Sequence, residues 1–215
     1  MKLNFYRCSG FGIFLVVFQC CFGASGEPGG DGFIDQYSIA EGETFYDFAI
    51  ADALQFSKWC DGLERFDGNN ENTVSNMIKA YGALMFGRIV FSTKDNSQIQ
   101  EALQDINKES LHPWVVSNTS SVLTYIEWNN RNSEFDFNLL EFLGYLQGLS
   151  PEQWSDPDLE IRNTSILFYY RYELINILAN DSSKLRSYNY STRNYLNSFL
   201  LRFGVQADLM AISSK

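Results

Sequence analysis

The stretch 197–215, "NSFLLRFGVQADLMAISSK", decides how the fold is read. Two apolar runs, 199–203 (FLLRF) and 209–212 (LMAI), flank Gly204-Val205-Gln206-Ala207-Asp208. Short apolar runs around a glycine-containing connection read as strand, turn, strand. A lone hairpin is marginal in water and needs more sheet or a packed helix to survive. The expectation is therefore a C-terminal β-hairpin that belongs to a larger assembly.

Working outward, most of the chain reads as helix. Phe45, Phe48, Ala49, Ala53, Phe56 and Cys60 recur at helical spacing behind Thr44-x-x-Asp47, a capping-box pattern. Val74, Met77, Ile78, Tyr81, Leu84 and Met85 make a second stripe. Gly82 and Gly87 lie inside it and either weaken the helix or mark close packing. Ile99, Leu103 and Ile106 mark a third helix, and Val115, Val122, Tyr125, Ile126 and Trp128 a fourth. Ser133-x-x-Asp136 is expected to cap a fifth, with Phe135, Leu139, Phe142, Leu143 and Leu146 inside and Gly148 closing it before Pro151. Residues 151–158 read as an acidic loop, and 166–178 as a deeply buried helix or strand. A possible strand at 33–40 and the terminal hairpin put the strand signals at the two ends, so the fold class expected is α+β.

The first 26 residues are set apart. Lys2 and Arg7 precede an apolar stretch over 8–22, and Gly23, Ala24 and Gly26 supply small residues for cleavage. This is a signal-peptide pattern, and Ser9, Gly10, Gly12 and Gln19 interrupt it as a membrane span. The organisation expected is a signal peptide over 1–26 and a single domain over 27–215, with no membrane span in the mature chain. Loss of Lys2 and Arg7 takes the formal charge from −10 to −12. With no basic stripe, nucleic acid is excluded as a partner. Cleavage also removes Cys8, Cys20 and Cys21, leaving Cys60 with no partner for a disulfide. Four N-x-[S/T] sequons, at Asn118, Asn163, Asn180 and Asn189, support N-glycosylation and delivery to the secreted space or the lysosomal lumen.

The chemistry-bearing motifs are sparse. The single histidine, His112, stands before Pro113 and reads as structural. No metal site or cofactor is expected, and there is no nucleophile elbow, Walker loop or dinucleotide fingerprint.

Four stretches, in order, resemble the N-terminal part of the phospholipase B-like family. "DALQFSKW" (52–59) resembles its D-A-I-x-x-T-G-W, with Ser57 and Lys58 departing from it. "IKAYGALMFG" (78–87) resembles its Q-A-Y-A-A-G helix, and "NLLEFLGYLQGL" (138–149) the helix ending L-x-Q-L-x-G-L. The stretch 197–215 resembles C-S-A-L-I-K-x-x-x-x-x-x-D-L-L-V-A-H-N-T-W. The resemblance implies the helix-rich leading part of an αββα N-terminal-nucleophile hydrolase fold, truncated after the hairpin. It also implies a link to hydrolysis of acyl or amide bonds in phospholipid-like substrates. In the family the cysteine that opens the last segment is the nucleophile, freed by cleavage of the bond before it. Asn197 stands at that position and has neither thiol nor hydroxyl, with Ser198 as the neighbouring substitute. The chain alone is therefore expected to be inactive. Two further expectations stand beside this one. The first is a non-enzymatic secreted glycoprotein that binds a lipid or protein partner. The second is a complementary chain that completes the sheet at the exposed strand edge.

Overall fold

The computed structural model describes residues 5–6, 15–16, 45–63 and 71–210. Within the leading unit, Met1–Thr44, β1 (Phe5–Tyr6) pairs antiparallel with β2 (Leu15–Val16). The rest of the proposed signal peptide, Thr44 and the strand expected at 33–40 lie outside the described residues.

The second unit begins at Phe45. Its described residues are all helix and connection, with no strand, which corrects the expected α+β class to all-α. Helix α1 (Phe45–Leu63) packs along α2 (Glu71–Ser92), and α3 (Asn96–Glu109) lies against α1 and α4 (Pro113–Arg131). Next come α5 (Leu139–Gln147), the single turn α6 (Pro151–Trp154) and α7 (Pro157–Tyr169), which packs on α4. The chain closes with α8 (Arg171–Arg186), kinked at Asp181, and α9 (Tyr190–Arg202), which touches α5 and α2.

The terminal hairpin is the largest correction. Residues 199–202 are the last turn of α9, where Leu196, Phe199, Leu200 and the C-cap Phe203 are buried along one helical face. Gly204 takes φ +72°, a left-handed conformation that glycine adopts without Cβ strain. Its N–H donates to the Leu201 carbonyl (3.0 Å), and the Val205 N–H donates to Leu200 (2.9 Å). These two bonds form a Schellman motif, so Gly204 ends a helix rather than turning a hairpin. Residues 205–209 follow as irregular chain, with Leu209 fully buried and its carbonyl accepting from Arg193 Nη1 at 3.2 Å. The remainder of the expected second strand, 211–212, lies outside the described residues.

Other local signals resolve more simply. The N-cap of α5 is Asn138 rather than Ser133. Its side chain accepts from the Glu141 N–H at 3.1 Å while the Glu141 carboxylate accepts from the Asn138 N–H at 2.8 Å. Leu139, Phe142, Leu143 and Leu146 are buried and Gly148 is the C-cap, as the periodicity and the glycine indicate. The acidic stretch 151–158 contains α6, and Asp156 caps α7. The apolar run 166–178 is helical on both sides of a break at Tyr170.

Both interior glycines of α2 mark close packing. A Cβ on Gly82 would lie 2.0 Å from the Trp114 ring, and one on Gly87 would lie 1.9 Å from the Phe203 carbonyl oxygen. The C-terminal end of α2 is held by Arg171, only 2% exposed. Its guanidinium donates to Val90 (3.2 Å), Phe168 (2.8 Å), Thr93 (3.4 Å) and Lys94 (3.3 Å), all through backbone carbonyls. A cation at a helix C-terminus satisfies orphan carbonyls and complements the helix dipole. Burial lowers its pKa to about 10, with Tyr172 and Glu173 acting in the opposite sense, so it stays charged at neutral pH.

Candidate functional site

A cleft of about 430 Å³ opens where α4, α7 and the end of α9 meet α2. The helical repeat of α4 brings Asn118, Ser121, Val122 and Tyr125 onto this face. Helix α7 contributes Pro157, Glu160, Ile161 and Thr164 at the same spacing. Phe86 from α2 and Phe203 from the α9 cap form the apolar wall, with Arg202 beside them. The short side chains Ser121 and Thr164 leave room that longer ones would fill.

The polar groups of the cleft are ordered. The Arg202 guanidinium donates through Nη1 to the Tyr125 hydroxyl and lies 5.7 Å from the Tyr125 ring centroid. The Thr164 and Tyr195 hydroxyls share a hydrogen bond of 2.7 Å, and the Tyr195 hydroxyl also points to the Glu160 carbonyl at 3.5 Å. Burial pushes the Tyr125 phenol up, more than the adjacent Arg202 pulls it down, and Glu160 adds to the rise. Tyr195 is likewise pushed up by burial. Both phenols are therefore neutral hydrogen-bonding groups at physiological pH rather than bases. Arg202 and Glu160 line one cleft, yet no ion pair joins them to each other or to another described residue.

The residues singled out by sequence lie elsewhere or play other parts. Asn197 is in the interior of α9, half-buried, and its Oδ1 has no hydrogen-bond partner among the described residues. Ser198 is exposed at the next position, so a cut before it would sever α9. The αββα sheet implied by the resemblance is absent from the described residues 45–63 and 71–210. Within "DALQFSKW", Asp52 is buried and paired with Arg88 on α2, Ser57 is buried, and exposed Lys58 lies 3.9 Å from Glu109. Cys60 is fully buried, and burial together with Asp61 pushes its thiol up to about 12. His112 caps α4, its Nδ1 accepting from the Trp114 N–H at 3.2 Å.

The sequons differ in access. Asn118 lines the cleft and donates to the Trp114 carbonyl (2.8 Å), and Asn163 is only 2% exposed. Asn180 and Asn189 are exposed, the latter also capping α9. A glycan on Asn163 has no route out of the folded chain. Among the described residues, no three histidine, cysteine or carboxylate side chains gather as metal ligands. Nor is any described helix long and apolar enough to cross a membrane.

Searches against family models, curated proteins and solved structures find no match for the chain. The likeness to phospholipase B-like proteins accordingly rests on the four short stretches alone. Sequence reading missed the cleft because its walls come from positions as far apart as Phe86 and Phe203. The one available signal was local. Asn118, Ser121, Val122 and Tyr125 recur at helical spacing and mix polar with apolar groups on a single face.

Proposed function

We propose that the chain is a non-catalytic binding protein whose α4–α7–α9 cleft takes the headgroup of a phospholipid-like amphiphile. One observation carries this reading: Arg202 and Glu160 line the same cleft without an ion partner among the described residues. A zwitterionic headgroup complements such a pair, its phosphate at the guanidinium and its ammonium group at the carboxylate. Ile161, an exposed apolar residue of the cleft, offers surface for the start of an acyl chain. The volume falls within the range of small-ligand sites and suits a headgroup with its glycerol rather than two full tails.

The binding reading is favoured over hydrolysis by the chemistry of the same groups. The cleft hydroxyls are already engaged: Tyr125 with Arg202, Thr164 with Tyr195, and Ser121 with the Ser117 carbonyl, none of them with a carboxylate or histidine. Asn197, the nucleophile position of the resemblance, lies inside a helix. The leader pattern over 1–26 and the exposed sequons Asn180 and Asn189 support a secretory or lysosomal location as part of the proposal.

The test is a titration of the chain with monomeric short-chain phosphatidylcholine, the phosphatidylglycerol of equal chain length and an uncharged glycol amphiphile. Saturable binding is expected, tightest for the zwitterion, and Arg202→Gln should weaken it about tenfold. Glu160→Gln should erase the preference for choline over glycerol. Tyr125→Phe keeps the Arg202 charge and controls for loss of local packing. Absence of saturable binding to all three defeats the proposal. Fatty-acid release in the same mixtures, abolished by Ser198→Ala, would replace it with a hydrolase.

A further inference from the structure

A second cleft, of about 410 Å³, lies at the C-terminal end of α4 and is built on aromatic side chains. Trp128, Phe135, Phe137, Phe142 and Tyr145 stack in sequence, with successive centroids 5.9, 5.5, 5.6 and 6.0 Å apart. Arg162 closes the Tyr145 end, its guanidinium 5.2 Å over the ring and donating to the hydroxyl at 3.2 Å. At the other end Trp128 is half-buried and stacks on Phe135, with no second ring against it among the described residues. The cleft itself is lined by Trp128, Phe135 and Phe137, by Arg162, and by the successive loop residues Asn132, Ser133 and Glu134. Arg162 lies on a different side of α7 from Ile161 and Thr164, so this site is separate from the first.

We propose that this cleft binds a pyranose sugar bearing a carboxylate. The negative face of an aromatic ring attracts the C–H bonds on one side of a sugar ring, and Trp128 offers the largest such face. Asn132, Ser133 and Glu134 supply an amide, a hydroxyl and a carboxylate in succession, donors and acceptors for neighbouring sugar hydroxyls. Arg162 supplies a planar fork that matches a carboxylate, and no carboxylate among the described residues pairs with it. Arg131, also at the cleft, is already engaged with Glu127 one turn back. A peptide partner fits less well, because the exposed large hydrophobics are spread over the α3–α4 connection, α5, α7 and α9.

The proposal is tested on the full chain with methyl β-glucuronide and methyl β-glucoside, by ligand-observed NMR and tryptophan fluorescence. The acidic sugar should bind saturably and about tenfold more tightly than the neutral one, as a charge-assisted contact requires. Arg162→Gln should remove that preference, and Glu134→Gln should weaken both sugars. Glu134 is exposed and Arg162 half-buried, and thermal melting verifies that the variants fold. Arg202→Gln should change nothing at this site, which separates the outcome from that of the amphiphile proposal. The proposal is overturned by no saturable binding of either sugar, or by binding indifferent to Arg162→Gln and Glu134→Gln. Tighter binding of a glutamate-rich peptide than of the glucuronide also overturns it.

Discussion

The α1–α2 side of the second unit and its α4–α7 side are built from similar helices and differ in what lies between them. On the first, glycines let neighbours touch the backbone: Trp114 sits against Gly82 and the Phe203 carbonyl against Gly87. Ala49, Ala53, Phe56 and Cys60 complete a face that is at most 1% exposed. On the second, α4 and α7 carry serines, threonines and asparagines on their facing sides, and clefts open on either side of the pair. The difference teaches where change is tolerated. The dry side has no room for one more methyl group at Gly82 or Gly87, whereas the cleft side holds charges without an ion partner that can be altered at little structural cost.

The most disruptive test is Arg171→Met, at the joint between the two sides. It leaves the carbonyls of Val90, Phe168, Thr93 and Lys94 without their shared donor inside the protein. A loss of about 4 kcal/mol is expected, since each buried acceptor left unsatisfied costs about 1–3 kcal/mol and water re-enters to meet some of them. Arg171→Lys should recover only part of it, because one ammonium group cannot reproduce the fork. Denaturant melts of both variants check this, and a Met variant within 1 kcal/mol of the parent on the scale of ordinary surface substitutions rejects the lock.

Next in size is Gly87→Ala. Its methyl would meet a backbone oxygen at 1.9 Å, which cannot rotate away like a side chain. The expected cost is about 3 kcal/mol, the upper end for overpacking. The Gly82 clash is with the edge of the Trp114 ring, so Gly82→Ala should cost less than Gly87→Ala. The reverse order would show that the α2–α9 contact is the softer of the two.

Cys60 tests the dry side through pH. Its folded pKa, about 12, stands above the value near 9 of a free thiol. The native state therefore holds the proton more tightly, and stability falls as pH rises through 9 toward 12. By pH 10 this one thiol should have cost about 1 kcal/mol relative to pH 7. Cys60→Ala, less stable overall because of the cavity, should show a flatter decline over that interval. Equal slopes would mean that the thiol is exposed to water more than its packing indicates.

The contrast also explains what the sequence could disclose. Faces made by one helix were legible, as at Ile99, Leu103 and Ile106 on α3 and Leu139 to Leu146 on α5, because spacing alone determines them. The run 199–203 misled because five apolar-rich residues before a glycine satisfy both a strand ending at a turn and a helix ending at a cap. Leu196 and Thr192, buried one and two turns upstream on the same face, carry the helical period that separates the two. Arg171 was invisible, since a charged residue within an apolar run gives no sign of the carbonyls it will meet some eighty positions away. Neither cleft was legible as a whole, because each joins segments that only tertiary packing brings together.

The smallest effect reverses the sign of the glycine argument. Gly144 lies within α5, and a Cβ there would meet nothing within 4 Å. Its φ is not in the left-handed region, so alanine suffers no backbone strain. Gly144→Ala should then stabilise the protein by about 0.5–1 kcal/mol, because alanine loses less backbone entropy on entering a helix. The same substitution is thus expected to cost several-fold more at Gly87 than it gains at Gly144. The two glycines have the same local propensity and differ only in what faces them. A destabilised Gly144→Ala would place an unrecognised neighbour against α5 and extend the dry packing beyond α2.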